Sequence, residues 1–198
     1  MDIEKSGTID EDSDMSRLNC RDPEAAPIMA DMIKRIRREK DSIGSVVELI
    51  IEGLPIGVGE PWLDGIEPSL ARGLMAIPGA RAIEFSNGFE SSQMRGSENN
   101  DMWIPGPESP QLEGAETGEA DGALGGRSTG SPIRVLVHFK PPSSLPREQF
   151  TLHLPSNETQ PLKVGGRHDP VIGPRAVPVV EAVAMLVIAD LGLMGGFL

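Results

Sequence analysis

Glycine and proline interrupt this chain so often that they set the first limit on its fold: 23 glycines and 18 prolines together make 41 of 198 residues. Proline breaks helices and strand ladders, and glycine weakens both, so the loops between elements must be long or numerous. Hydrophobic residues at 38% and charged residues at 24% still supply a core and exclude wholesale disorder. The length suits one domain, or one large half of a two-domain protein.

The net charge of −12 is concentrated in two places. Residues 1–14 hold six acids against one base, and residues 98–121 hold seven acids and no base. Outside them, acids and bases balance at 17 each. The acidity therefore belongs to two solvated segments, expected to be a flexible lead-in over 1–16 and a mobile loop at about 98–121 of a body spanning 17–198. It disfavours DNA or an anionic membrane as partner. No tyrosine is present and aromatics are 4%, which argues against a base-stacking surface. A single cysteine, Cys20, excludes an intramolecular disulfide and any Cys-rich zinc site, and a cytoplasmic location is expected. The start MDIEKSGTIDED has neither a basic nor an apolar leader segment. The apolar run Ala176 to Leu193 contains Pro178, Glu181 and Asp190, so it reads as a buried helix rather than a membrane span.

Asp22-Pro23-Glu24 is a helix-start signal. Ile28, Met29, Met32, Ile33 and Ile36 then repeat at helical spacing, with Met29 and Met32 expected as core filler and Gly44 as the stop. Ser45 to Glu52 reads as a strand, 53–62 as a glycine-punctuated crossing, Glu67 to Ala76 as a short helix and Ala82 to Phe85 as a strand leading into the turn Asn87-Gly88. Residues 92–131 read as a long irregular stretch. Arg134 to Lys140 alternates as a half-buried strand, Phe150 to Leu154 resembles a pairing strand, and a last helix covers roughly Arg175 to Leu193. Irregular interleaving of strands and helices gives the class α+β.

Four segments gather Gly, Arg, Lys and Asp in loops: 85–101, 124–132, 138–144 and 165–170. Arg95, Arg127, Lys140 and Arg167 stand beside glycine, proline or small hydroxyl residues. Glycine lets a backbone approach an anion, and the cations supply charge-assisted hydrogen bonds. Two readings stand at this level: ordinary surface loops with solvated arginines, or a site for a phosphate- and carboxylate-bearing ligand. None of the loops matches a Walker A or dinucleotide fingerprint. His138 and His153 lie in strand patterns, and no His pair has metal spacing, so no metal is expected.

Taken together and in order, the blocks NCRDPEAA, KDSIGSVVELIIEGLPIGVGEP, SLARGLMAIPGARAIEF, NGFESSQMRGSENND, GGRSTGSPIRV, FKPPSS and GRHDP followed by PRAVPVVEA resemble one family, the chorismate synthases, from about Leu18 to Leu193. The resemblance implies half of a β-α-β sandwich with helices packed against antiparallel sheet, and assembly as a homotetramer. It implies conversion of 5-enolpyruvylshikimate 3-phosphate to chorismate by anti elimination of phosphate, with reduced FMN as cofactor. Residue by residue, Pro78, Gly79 and Gly125 fall where the family's backbone touches FMN. Lys140, Pro141, Pro142, Ser143 and Ser144 match the flavin loop, Arg167 an FMN-contacting arginine, and Asp169 an active-site aspartate, a candidate for general acid–base work.

The departures are as informative. The family's polypeptide is nearly twice as long, and its N-terminal half carries a Ser-x-Ser-His-Gly segment, substrate-holding arginines and a Gly-Arg-x-Ser-x-Arg-Glu-Thr segment. None of these occurs here, so both of the family's acid–base histidines are missing, and Val171 replaces the cysteine that follows GRHDP. The sequence therefore reads as a C-terminal half on the flavin side, with a non-catalytic flavin- or anion-binding remnant that needs a separate N-terminal half as the alternative.

Overall fold

The structure is a computed structural model that describes residues 14–106, 110–113 and 120–198. In chain order its elements begin with helices α1 (Asp14–Leu18) and α2 (Ala25–Arg38), strand β1 (Ser45–Ile51), helix α3 (Ile66–Met75), strand β2 (Ala80–Phe85) and the short helix α4 (Gly96–Asn99). There follow β3 (Trp103–Ile104), β4 (Gln111–Leu112), β5 (Ala123–Leu124), β6 (Arg127–Ser128), β7 (Ile133–Phe139), β8 (Glu148–His153), β9 (Glu158–Lys163) and α5 (Gly173–Met194). Helices mixed with antiparallel strand pairs make the chain α+β. It divides into two compact units, one comprising residues up to Ser45 with Lys140–Val177, the other Val46–Phe139 with Pro178–Leu198.

The second unit is built on a three-stranded sheet ordered β1-β7-β2, with β2 and β7 antiparallel and Ile83 opposite Val137. The alternation of β7 is realised as expected: Val135, Val137 and Phe139 are buried, while Arg134, Leu136 and His138 face the other way. On that outer face Arg134 pairs with Glu48 at 2.5 Å, and His138 Nε2 lies 2.6 Å from Glu84 Oε1. Ile66, Leu70 and Leu74 of α3 and Val180 of α5 are fully buried, and Ala184 and Leu191 of α5 are buried. Gly73 lets the two helices meet, since a Cβ there would lie 2.9 Å from Val187 Cγ2.

The β5–β6 hairpin is fastened to the crossing 53–62. Ser128 donates its hydroxyl to the Pro55 carbonyl at 2.6 Å and accepts from the Val58 N–H at 2.9 Å, while the Gly126 carbonyl accepts from Ile66 N–H at 2.8 Å. Gly125 and Gly126, both at positive φ (62° and 92°), form the tight turn between the strands. They differ in surroundings. A Cβ on Gly126 would lie 2.4 Å from the Glu60 carbonyl, whereas one on Gly125 would meet nothing within 4 Å.

In the first unit, the start of α2 follows the sequence signal: Asp22 Oδ1 accepts from the N–H groups of Glu24 and Ala25 at 2.8 and 3.0 Å. Its end does not. The helix stops at Lys40 (φ 56°), whose N–H bonds Arg37 O while Asp41 N–H bonds Ile36 O, both at 3.1 Å, so Gly44 plays no part. Nor are Met29 and Met32 core filler. Ala26 and Ala30 are the buried positions of α2, and Ile28 is 70% exposed with both methionines at the surface. Phe150 lies in β8, a pairing strand as expected, whose partner is β9, in a hairpin whose apolar side chains Phe150 and Leu152 are exposed. The last helix is only one-sidedly buried, with Met185 and Leu186 open. By length and composition it is long and apolar enough to cross a membrane, as core helices of soluble proteins also are. Asn87-Gly88 opens a 3₁₀ helix over Gly88–Gln93.

Most of the 1–16 lead-in, and residues 107–109 and 114–119 of the acidic loop, lie outside the described residues. The described flanks of that loop carry the β3–β4 pair and a buried Leu112.

The two glycines of the β5–β6 turn separate by substitution. Gly126→Ala should lower stability by roughly 2–4 kcal/mol, because strain and a backbone clash add, and Gly125→Ala by only about 1 kcal/mol for the left-handed backbone. Urea unfolding of both variants checks this; equal losses would contradict it.

Candidate functional site

The two loops with the strongest ligand signature, Lys140–Ser144 and Gly165–Pro170, belong to the same unit and are held by one short segment, 41–43. Ser42 donates its hydroxyl to the Pro142 carbonyl at 2.6 Å. Arg147, just past the first loop, pairs with Asp41 at 3.0 Å. Ile43 N–H donates to the Pro170 carbonyl at 2.8 Å, which fastens the second loop. The segment can do this because the helix reverses at Lys40 immediately before it and β1 begins immediately after it.

Within these loops, Lys140, Pro141, Ser143 and Ser144 are exposed and Pro142 is half-buried. Arg167 is exposed and, among the described residues, has no ion-pair partner. Asp169 is half-buried, and its Oδ2 is held by Arg175 Nη1 at 2.7 Å from the first turn of α5. His168 Nε2 lies 3.1 Å from the Gly165 carbonyl. Lys140 and Arg167 therefore offer cationic groups to an anion, and Asp169 offers an oriented carboxylate whose Oδ1 is not engaged by Arg175.

Pro78, Gly79 and Gly125 belong to the second unit. Pro78-Gly79 makes the turn from α3 into β2, with Ala80 N–H bonding the Ile77 carbonyl at 3.0 Å and Gly79 at φ 94°. Proline then glycine is the residue order a type II turn needs. Gly125 is the open corner of the β5–β6 turn, where exposed backbone has room for a close approach. Of the other cations singled out in the sequence, Arg127 has a local partner, Glu60 at 3.5 Å, while the backbone N–H of Arg95 donates to Glu98 Oε2 at 2.8 Å. His153 Nδ1 lies 2.9 Å from Ser156 Oγ. Among the described residues no group of His, Cys, Asp or Glu is arranged to hold a metal ion.

The family profile described as "Chorismate synthase" matches residues 2–193. The chain belongs to the chorismate synthase family. It is 47% identical over 185 residues to a chorismate synthase of Aeropyrum pernix, covering 91% of this chain and 47% of that one. A Methanosarcina mazei chorismate synthase is 40% identical over 188 residues, covering 95% and 51%. A Dehalococcoides mccartyi chorismate synthase is 39% identical over 196 residues, covering 99% and 53%. A crystal structure of chorismate synthase superposes with a TM-score of 0.68 at 24% identity, over 87% of this chain and 44% of that chain, a likeness of fold. The chain spans about half the length of the curated relatives it matches.

The residues that sequence reasoning did not single out are Asp41, Ser42, Arg147 and Arg175, which hold the two loops or the segments beside them. The only signal for the first two was the KDSIG block. The second unit holds a separate group of carboxylates. Asp121 accepts from Ser86 Oγ at 2.8 Å, and its own N–H donates to Asp101 Oδ2 at 2.7 Å. Burial, and after it the negative charge of Asp121, push the Glu67 carboxyl above its ordinary value of 4.5.

Folded Glu67 keeps its proton to higher pH than the unfolded chain does, so its contribution to stability falls as pH rises above 4.5 through the raised value. Glu67→Gln should therefore gain stability over the native chain as pH climbs from about 4 to 7. Denaturant unfolding across that range checks it, and a difference that does not grow with pH would contradict it.

Proposed function

We propose that this chain forms the flavin side of a chorismate synthase active site, acting in anti elimination of phosphate from 5-enolpyruvylshikimate 3-phosphate to give chorismate. The observation that supports this most directly is the joint anchoring of the Lys140–Ser144 and Gly165–Pro170 loops on segment 41–43 in a chain of this family. The proposed assembly is the half β-α-β sandwich in a cytoplasmic homotetramer, completed by a half that carries the Ser-His-Gly and Arg-Glu-Thr segments.

The residues present fit FMN. Arg167 and Lys140 are exposed cations, Gly125 is open backbone, and the Lys140–Ser144 loop is fixed by its own carbonyl. Lys140, Pro141, Pro142, Ser143, Ser144 and Arg167 of the first unit are the proposed cofactor contacts, as are Pro78, Gly79 and Gly125 of the second. When bound, reduced FMN supplies transient electron density that assists carbon–oxygen cleavage. Asp169 is the proposed acid–base residue. Arg175 fixes its Oδ2 and so leaves Oδ1 to hold or pass a proton, which is general acid–base work.

Two substitutions separate these roles, with the full chain combined with an N-terminal half from a full-length relative. Arg167→Ala should weaken FMN binding by about 1.5–3 kcal/mol, the worth of a charge-assisted hydrogen bond. Asp169→Asn should leave FMN affinity nearly unchanged and lower turnover by roughly 10²–10⁴-fold. Flavin titration and single-turnover kinetics read both effects. Normal turnover by Asp169→Asn would remove the carboxylate from the chemistry.

A further inference from the structure

Pro178 leaves a gap in the hydrogen bonding of α5. It lies inside the helix, and proline has no N–H. In a regular helix the N–H at 178 would donate to the carbonyl four residues back, so the Pro174 carbonyl loses its usual partner. The structure supplies another. Asn19 Nδ2, 155 residues away in the chain, donates to that carbonyl at 2.6 Å. Asn19 and Pro174 both belong to the first unit. The bonded carbonyl is part of the peptide that joins Pro174 to Arg175, and the other side of the same peptide, the Arg175 N–H, donates to the Ile172 carbonyl at 3.0 Å. This peptide is therefore held on both sides. Arg175 reaches from it to Asp169 Oδ2 at 2.7 Å, although its side chain is 74% exposed. Packing does little to fix so open a side chain, and its reach depends on where its backbone stands.

A plainer account is that Asn19 only ends α1. It stands at φ 50°, its N–H bonds the Ser16 carbonyl at 3.2 Å, and the Cys20 N–H bonds the Met15 carbonyl at 3.0 Å, the paired bonds of a left-handed helix stop. Glycine fills that role with the least strain. The stop accounts for the backbone at this position. It leaves the contact of the side-chain amide with Pro174 unexplained.

We propose that Asn19 is a positioning residue. Its side-chain amide stands in for the N–H that Pro178 lacks and fixes the first turn of α5, so that Arg175 holds the Asp169 carboxylate in one orientation. The consequence for Asp169 rests on the active-site reading above. The replacement of one donor by another does not, and the test keeps the two apart.

Amide hydrogen exchange on the full chain reads the donor claim. Asn19→Gly removes the amide while favouring the left-handed backbone, so α1 keeps its stop. Exchange at the N–H groups of 175–177 should quicken by about three- to tenfold, the worth of one hydrogen bond, with the β1-β7-β2 sheet unchanged. Asn19→Asp, which keeps the shape but has no N–H to donate, should behave alike. Pro178→Ala returns an N–H to position 178. In that background Asn19→Gly should alter exchange by less than about twofold. Exchange unaltered by Asn19→Gly, or quickened equally with and without Pro178, overturns the proposal.

The second arm combines the full chain with an N-terminal half from a full-length relative. Asn19→Gly should lower kcat by about three- to tenfold while FMN affinity stays within about twofold, and Pro178→Ala should restore kcat. Unchanged kcat in an active assembly, a matching loss of FMN affinity, or no rescue by Pro178→Ala overturns the positioning role. If the native chain gives no turnover in this assembly, the active-site reading fails and the exchange result alone decides the donor claim.

Discussion

Three consecutive residues, Asp41, Ser42 and Ile43, carry the contacts on which the candidate site depends. Each uses a different group: a carboxylate to Arg147, a hydroxyl to the Pro142 carbonyl and a backbone N–H to the Pro170 carbonyl. Loops rich in proline and glycine have little regular hydrogen bonding of their own, so their backbone groups need partners elsewhere. Here one strut between α2 and β1 supplies them to both loops. The left-handed turn at Lys40 is part of the same device, since it aims the strut, and its strain is offset by the two capping bonds.

A second theme is how much apolar surface the chain leaves open. In the first unit the α2 stripe around Ile28 and the β8 side chains Phe150 and Leu152 are exposed; in the second, Trp62, Leu63, Met185 and Leu186 are. An isolated two-stranded hairpin is marginal in water, and extended apolar patches mark contact surfaces. These faces are available to the oligomer and the complementary half proposed above.

What was legible in the sequence divides along physical lines. Elements whose period coincides with burial inside this chain could be read: β7, α3, β1 and the course of α5 all lie within two residues of their expected bounds. Elements whose apolar side faces outward could not. The stripe of α2 carries a core-like period, yet Ala26 and Ala30 take the buried places, and periodicity does not say which chain will cover a face. β9 was missed because ETQPLK carries Pro161 and a single leucine. The candidate loops stood out because their residue types are unusual, whereas the strut did not. Its Ile43–Pro170 contact is backbone to backbone, and Asp41-Ser42 resembles any polar linker.

The most direct test of the account is amide hydrogen exchange on the full chain and its Ser42→Ala variant. Removing the hydroxyl deprives the Pro142 carbonyl of its donor, so the variant should exchange faster across both 140–147 and 165–171. Protection in the β1-β7-β2 sheet should stay unchanged. Faster exchange in the first loop alone, or in neither, would contradict the claim that one strut holds both.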